Sequence, residues 1–270
     1  MKQQEECAEL APTLEAYYRQ PELWDMARYE GNAAQRLRAR VVAAMVDPQC
    51  ETVLDVGCGN GFLTRRLRAR QLVVGLDPSE EALKWLDGPR VLGTGGRLPF
   101  ADDAFDTVVC CEVLEHLPDE AFYSTVKEMA RVARTSLVIG VPYRQDLRPG
   151  TTRCAACGRV YHVDLHCRSF EGPEAVARLF PGFAVEAVAY LGQSRHIASR
   201  LFRWLRHALL GPGATSDFAR CPACGSAETR TYRDANGKRL RRRLFEGLAW
   251  RMVKATTSTW LLVQADRHSK

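Results

Sequence analysis

"VLDVGCGNGFLTRRL", residues 53–67, decides how the first half of the chain is read. An apolar run, Thr52–Val56, enters a glycine-rich turn and leaves it in an amphipathic stretch, "FLTRRLRARQ" (62–71). The pattern predicts a strand, a tight turn and a helix. Gly57, Gly59 and Gly61 stand at the junction, where a missing side chain lets the backbone approach a ligand and helix N–H groups face it. Asp55 precedes the turn, and Asp77 closes the next apolar run, "LVVGLD" (72–77), 22 positions further on. A carboxylate about 20 residues beyond such a turn is placed to hold a ribose diol. The block therefore predicts a site for a nucleoside-bearing cofactor.

Working outward, residues 31–46 ("GNAAQRLRARVVAAMV") carry helical periodicity and stop at Asp47-Pro48. "DTVVCCEV" (106–113) and "TSLVIGVP" (135–142) read as strands, separated by the helix "EAFYSTVKEMARVAR" (120–134). Strands alternating with helices imply a parallel sheet with right-handed crossovers. Cys110 and Cys111 lie inside a strand pattern and read as core residues.

"VLDVGCGNG", "VVGLDPS" and "LPFADDAFDTVVCCEVLEHLPD" together resemble the successive motifs of class I S-adenosylmethionine-dependent methyltransferases, over roughly residues 29–142. A nicotinamide-dependent dehydrogenase would show G-x-G-x-x-G, whereas Phe62, Leu63 and Thr64 follow Gly61 here. The "LPFADDAFD" block also has no dehydrogenase counterpart. The resemblance implies an α/β fold with a seven-stranded, mostly parallel Rossmann-like sheet. It also implies S-adenosylmethionine as cofactor, held near Asp55 by the turn that includes Gly57, Cys58, Gly59 and Gly61. Asp77 would hold the ribose hydroxyls and Pro78 would lie beside the adenine. Leu98 would belong to the adenine-pocket loop, and Glu112 would close strand four at the cofactor's amino-acid end. Related sequences commonly carry Gly-Asp-Ala where this chain has Gly93-Thr94-Gly95. Thr94 would then replace a carboxylate with a weaker acceptor for the adenine amino group. His116, in "LEHLPD", is the first catalytic candidate, a general base for an acceptor hydroxyl, with local packing as its competing role. Tyr17, Tyr18 and Tyr29 precede the core and would close over the cofactor or simply pack.

"TTRCAACGRVYHVDLHC" (151–167) is the second unusual stretch. Its "CAACG" (154–158) returns as "CPACG" (221–225), and C-x-x-C-G is the form of a zinc knuckle. The 63 residues between Cys157 and Cys221 exceed the spacing of a simple finger. Topology answers the objection. The resemblance implies that the fifth strand is followed by a helix, matched by "EGPEAVARLF" (171–180), a sixth strand, "FAVEAVAYL" (183–191), and an antiparallel seventh, "TWLLVQAD" (259–266). Both knuckles then leave the carboxyl edge of the sheet, where open α/β folds bind ligands. Cys154, Cys157, Cys221 and Cys224 are expected to share one structural zinc. A local site made of Cys154, Cys157, Cys167 and either His162 or His166 competes with this, as does a dithiol redox pair. Outside a metal shell, His166 becomes the second catalytic candidate, against hydrogen bonding within the lobe.

The net charge of +6 is unevenly spread. Residues 1–140 carry 16 Lys/Arg against 22 Asp/Glu, and residues 141–270 carry 22 against 10. "SRLFRWLRHALLGPG" (199–213) and "GKRLRRRLFEGLAWRMVKATTSTW" (237–260) are basic and helical in period, suited to a cap, an anionic membrane surface or nucleic acid. "MKQQEECAEL" has no secretory character, and no apolar run approaches the ~20 residues of a membrane span, so a cytoplasmic protein is expected. The expected organisation is an N-terminal helical segment (1–46), a cofactor core (47–142) and a first knuckle insertion (143–170). A core helix and sixth strand (171–192), a second knuckle with a basic helical insertion (193–258) and a final strand (259–266) complete it. More loosely, the whole succession resembles bacterial methyltransferases of surface-polysaccharide or secondary-metabolite pathways. The expected activity is methyl transfer to a small-molecule, natural-product or glycan acceptor beneath a zinc-stapled lid. RNA methylation and a non-catalytic cofactor-binding scaffold are the alternatives.

Overall fold

The computed structural model describes residues 17–197, 214, 216–227 and 254–268, with 194–197 and 254–257 described by their backbone alone. The sheet is built from β1 (Thr52–Val56), β2 (Leu72–Asp77), β3 (Arg90–Leu92), β4 (Phe105–Cys111), β5 (Ala133–Pro142), β8 (Phe183–Leu191) and β11 (Trp260–Arg267). Their spatial order is β3-β2-β1-β4-β5-β11-β8. The first five strands run parallel, and β11 runs antiparallel between β5 and β8. The chain reverses between β2 and β4 around β1, so the carboxyl ends of β1, β2 and β4 converge on one crevice.

Both faces of the sheet are covered. Helices α1 (Met26–Gly31), α2 (Ala33–Met45) and α3 (Phe62–Leu67) precede or follow β1. Val42, Val46 and Leu67 meet Val53, Val73 and Val138 on one face. Short α4 (Glu80–Leu83) follows β2, α5 (Asp119–Val132) follows β4, and α6 (Pro173–Ala177) precedes β8. Helix α5 buries Phe122, Val126, Met129 and Val132, a stripe at helical spacing. Those side chains join Leu137, Ile139, Val176 and Phe180 in the core of the opposite face.

Several expected boundaries move. The Asn32 side chain accepts from the backbone of Ala34 and Gln35, so the helix expected over 31–46 starts at Ala33 as α2, and a separate short helix, α1, ends before the cap. The helix after the glycine turn ends at Leu67 rather than Gln71, and α6 is half the length expected for 171–180. The fourth strand stops at Cys111, because Glu112 adopts a left-handed backbone with φ 58°.

Four short strands lie outside the sheet: β6 (Thr151–Arg153), β7 (Val160–His162), β9 (Ser194–Ile197) and β10 (Lys254–Thr257). Strands β6 and β7 form a hairpin around the first knuckle. Strand β10 pairs antiparallel with β9, which corrects the helical reading of 237–260 at its carboxyl end. "KATT" is rich in β-branched residues, and their preference for strands wins over the helical period of the stretch before them. Residues 199–213 and 237–253, on which the basic-helix reading rests, lie outside the described residues. Among the described residues, no helix is long and apolar enough to cross a membrane.

Candidate active site and thiol cluster

The turn after β1 is a loop that only glycines suit. Gly57, Gly59 and Gly61 have φ of 72°, 54° and 78°, in the left-handed region. A Cβ on Gly57 would stand 2.2 Å from Val113 Cγ2, and one on Gly61 would stand 2.4 Å from Leu86 Cδ1. The Gly57 N–H donates to the Leu76 carbonyl at 2.7 Å, which draws the turn against β2. At the end of β2, the Asp77 carboxylate accepts the N–H groups of Gly59 (2.9 Å) and Ser79 (2.8 Å). Asp55 accepts the Thr64 hydroxyl at 2.6 Å, locking β1 to α3. Burial pushes both carboxyls up to about 6, opposed at Asp55 by the Thr64 bond and at Asp77 by the two backbone donors.

These groups line a cleft of about 1490 Å³ that also takes in Cys58, Pro78, Thr94, Glu112 and His116. Leu98 is the exception among the expected cofactor residues. The loop from Gly93 to Arg97 borders the cleft, but Leu98 turns inward and joins the core, its N–H donating to Glu128 at 2.9 Å. At the far end of the cleft, Glu112 Oε2 pairs with Arg38 at 2.9 Å and accepts the Trp260 indole N–H at 3.0 Å. Its Oε1 is buried without a hydrogen-bond partner among the described residues.

The cleft is roofed by the stretch Tyr17–Trp24. Asn60 donates to the Trp24 carbonyl at 3.0 Å, and Ser79 donates to the Tyr18 carbonyl at 2.8 Å. Gln20 reaches the Phe218 carbonyl at 3.2 Å, and Tyr17 packs with Cys154, Tyr161 and Cys221. One strap therefore touches both the glycine turn and the cysteine lobe. Sequence reading placed Tyr17 and Tyr18 here but missed Trp24, Asn60, Arg38 and Glu115. Asn60 lies inside "GCGNG" and was legible as a loop-fixing side chain; the others carry no local signal.

His116 ends a 3-10 helix, Leu114–His116, just past β4. Its ring lies 4.6 Å from that of His166, which in turn stacks on His162 at 4.9 Å. His116 borders the cleft; His166 does not, and sits behind it with Nδ1 2.6 Å from Gln145 Oε1. Burial lowers His116 to about 4, and burial together with the neighbouring imidazoles lowers His166 to about 2, so both rings are neutral near pH 7. Glu115 is fully buried, and burial followed by the nearby Glu112 charge raises its carboxyl well above the usual range.

The two knuckles meet. Cys154 Sγ lies 3.6 Å from Cys224 Sγ, and Cys157 Sγ lies 3.5 Å from Cys221 Sγ. All four sulfurs fall within 4.8 Å of one another. A tetrahedron with metal–sulfur bonds of about 2.3 Å has edges of about 3.8 Å, close to those separations. The turns match as well, with Gly158 at φ 78° and Gly225 at φ 71°, each donating its N–H to the carbonyl of the first cysteine of its knuckle. His162, His166 and Cys167 lie outside this group, so the local alternative is not what the fold assembles.

Residues 54–136 match a family model described as a methyltransferase domain. A ubiquinone biosynthesis O-methyltransferase of Nitrosomonas europaea is 34% identical over 97 residues, covering 32% of this chain and 40% of that protein. A probable S-adenosylmethionine-dependent methyltransferase of Mycobacterium tuberculosis is 36% identical over 124 residues, covering 42% and 44%. The chain thus spans less than half the length of these curated relatives. Magnesium protoporphyrin IX methyltransferase from Synechocystis, solved with bound S-adenosylhomocysteine, shares the fold with a TM-score of 0.54 at 15% identity, covering 96% of this chain and 100% of its own. Residues 54–136 thus match a methyltransferase domain, on a fold that the chain shares with a solved methyltransferase.

Proposed function

We propose that the chain transfers the methyl group of S-adenosylmethionine to a small-molecule, natural-product or glycan acceptor held beside His116. One observation carries this reading. A single cleft is bordered by the glycine turn and Asp77 on one side and by Tyr18 and His116 on the other. Asp55, Gly57, Cys58, Gly59 and Gly61 shape the methionine side. Asp77 takes the ribose hydroxyls, and Pro78 and Thr94 border the adenine. The buried Oε1 of Glu112 is an acceptor available to the cofactor's ammonium group.

When bound, the cofactor supplies an electrophilic methyl on a sulfonium sulfur. The chain's own residues hold the acceptor in line with that methyl, and alignment alone supplies much of the rate. The Tyr17–Trp24 strap excludes water. His116, neutral and at the cleft wall, accepts the proton that a hydroxyl acceptor releases. His166 lies behind it and orients its ring.

The four thiols fit one structural zinc, which would have no open coordination position and would join two distant segments into a lid over the acceptor side.

The test is calorimetry with S-adenosylhomocysteine, followed by transfer from methyl-labelled cofactor to a panel of phenols, hydroxylated metabolites and sugars. Binding together with labelled product is expected, and His116→Ala should keep binding while losing turnover. A wild-type chain that binds no cofactor sinks the reading.

A further inference from the structure

Beside the cleft, three side chains gather that the methyl-transfer reading does not fully use. Glu115 and His116 come from the 3-10 helix after β4, and His166 comes from the cysteine lobe. One donor atom from each lies within 4.8 Å of the others. Glu115 Oε1 is 3.9 Å from His116 Nε2. The Cys167 N–H donates to the Glu115 carbonyl at 2.7 Å and keeps the two segments in register.

Glu115 is the telling member. It is fully buried, and neither of its oxygens has a hydrogen-bond partner among the described residues. A buried polar atom without a partner typically costs about 1–3 kcal/mol, so two such oxygens on one side chain need an explanation. A proton on Glu115 would remove its charge but would leave its oxygens without a partner. A doubly charged cation supplies both a counter-charge and a partner, and it takes one nitrogen lone pair from each imidazole.

The local support is of the kind metal sites have. Gln145 engages His166 Nδ1, which fixes the ring and leaves Nε2 as its free nitrogen. His162 stacks on that ring with planes 6° apart, limiting its rotation. Ligand bonds of about 2.0–2.2 Å require donors about 3.3–3.5 Å apart, so the group closes by side-chain rotation of roughly an ångström.

We propose that Glu115, His116 and His166 bind one divalent transition-metal ion, separate from the thiolate site. Two imidazoles and one carboxylate select a borderline ion of the zinc, cobalt or iron(II) type over calcium or magnesium. The ion clasps the cysteine lobe to the core. His116 borders the cleft, and with the ion bound its lone pair is committed, so the ion takes over from the free imidazole the task of activating an acceptor hydroxyl. That last clause rests on the methyl-transfer reading; the ion itself does not.

The experiment is cobalt(II) titration of the full chain, made metal-free, read by native mass spectrometry and visible absorption. Wild type, Glu115→Gln, His166→Ala and Cys221→Ser are compared. Glu115→Gln and His166→Ala should each bind one cobalt fewer than wild type. They should also lose a weak visible band while keeping the intense sulfur-to-cobalt charge-transfer absorption. Cys221→Ser should lose the charge-transfer absorption and keep the weak band. S-adenosylhomocysteine binding, measured on the same samples, reports folding and the cofactor site independently. Equal cobalt content in wild type and in the two folded variants would overturn the proposal, whatever the methylation assay shows.

Discussion

The Asp77 carboxylate accepts the Gly59 backbone N–H at 2.9 Å, so the tip of β2 holds the turn that follows β1. One buried charge therefore shapes the loop and waits for the ribose. Asp77→Asn separates the two roles. Loss of charge-assisted hydrogen bonds of about 1.5–3 kcal/mol predicts roughly 10- to 100-fold weaker S-adenosylhomocysteine binding by calorimetry.

The same substitution changes how stability depends on pH. Burial raises Asp77 to about 6, so its contribution to stability is complete below its unfolded value, near 4, and is lost as pH rises through 6. The neutral amide does not titrate, although it accepts only one of the two N–H groups and so loses a constant amount. Urea unfolding should show wild type losing about 1–3 kcal/mol relative to Asp77→Asn between pH 4 and pH 7. Cofactor affinity runs the other way and weakens in wild type as pH falls through about 6. A difference between the two proteins that stays the same from pH 4 to pH 7 would mean that the charge is solvated.

Gly57→Ala meets two separable obstacles. A side chain at φ 72° costs about 1–2 kcal/mol, and its Cβ would stand 2.2 Å from Val113 Cγ2. Unfolding measurements should show a loss of about 2–4 kcal/mol. Val113→Ala in the same chain should recover the steric part and leave the backbone part. A double variant as weak as the single one would place the cost elsewhere.

Arg38 bridges α2 to the end of β4 through Glu112, with side-chain exposures of 14% and 25%. Arg38→Met leaves Glu112 with only the Trp260 N–H and should cost about 1–2 kcal/mol, since partial exposure softens the loss of the charge. A cycle with Glu112→Gln should show coupling above about 0.5 kcal/mol. Additive effects would mean the pair is idle.

Cys221→Ser tests the joined knuckles. Native mass spectrometry of protein expressed with zinc should show one zinc fewer in the variant. Near-ultraviolet circular dichroism should lose signal, because Tyr17 and Tyr161 pack against the thiols. A zinc retained in full by the variant would move the site off the second knuckle.

The glycine turn, Asp77 and the strand sequence around them were legible because their signals are local: period-two and apolar runs, left-handed turns and a carboxylate at a strand end. The meeting of Cys154 and Cys157 with Cys221 and Cys224 was legible only through topology. Leu98 misled because a loop's neighbourhood does not tell which way one side chain turns. Glu115 was passed over because a glutamate beside a histidine looks like surface until burial is known. Lys254–Thr257 was read as helix since the period of a window continued into residues whose partner, β9, lies some sixty positions away.

The knuckles also have a consequence in time. Residues 158–220 form a ring of 63 residues whose ends lie side by side, with α6 and β8 strung along it. Closing a free loop of that length costs about 4 kcal/mol of chain entropy by the logarithmic rule. Joining the knuckles is therefore a non-local step, and stopped-flow refolding is expected to show a phase that reports on Tyr161 after the sheet has appeared.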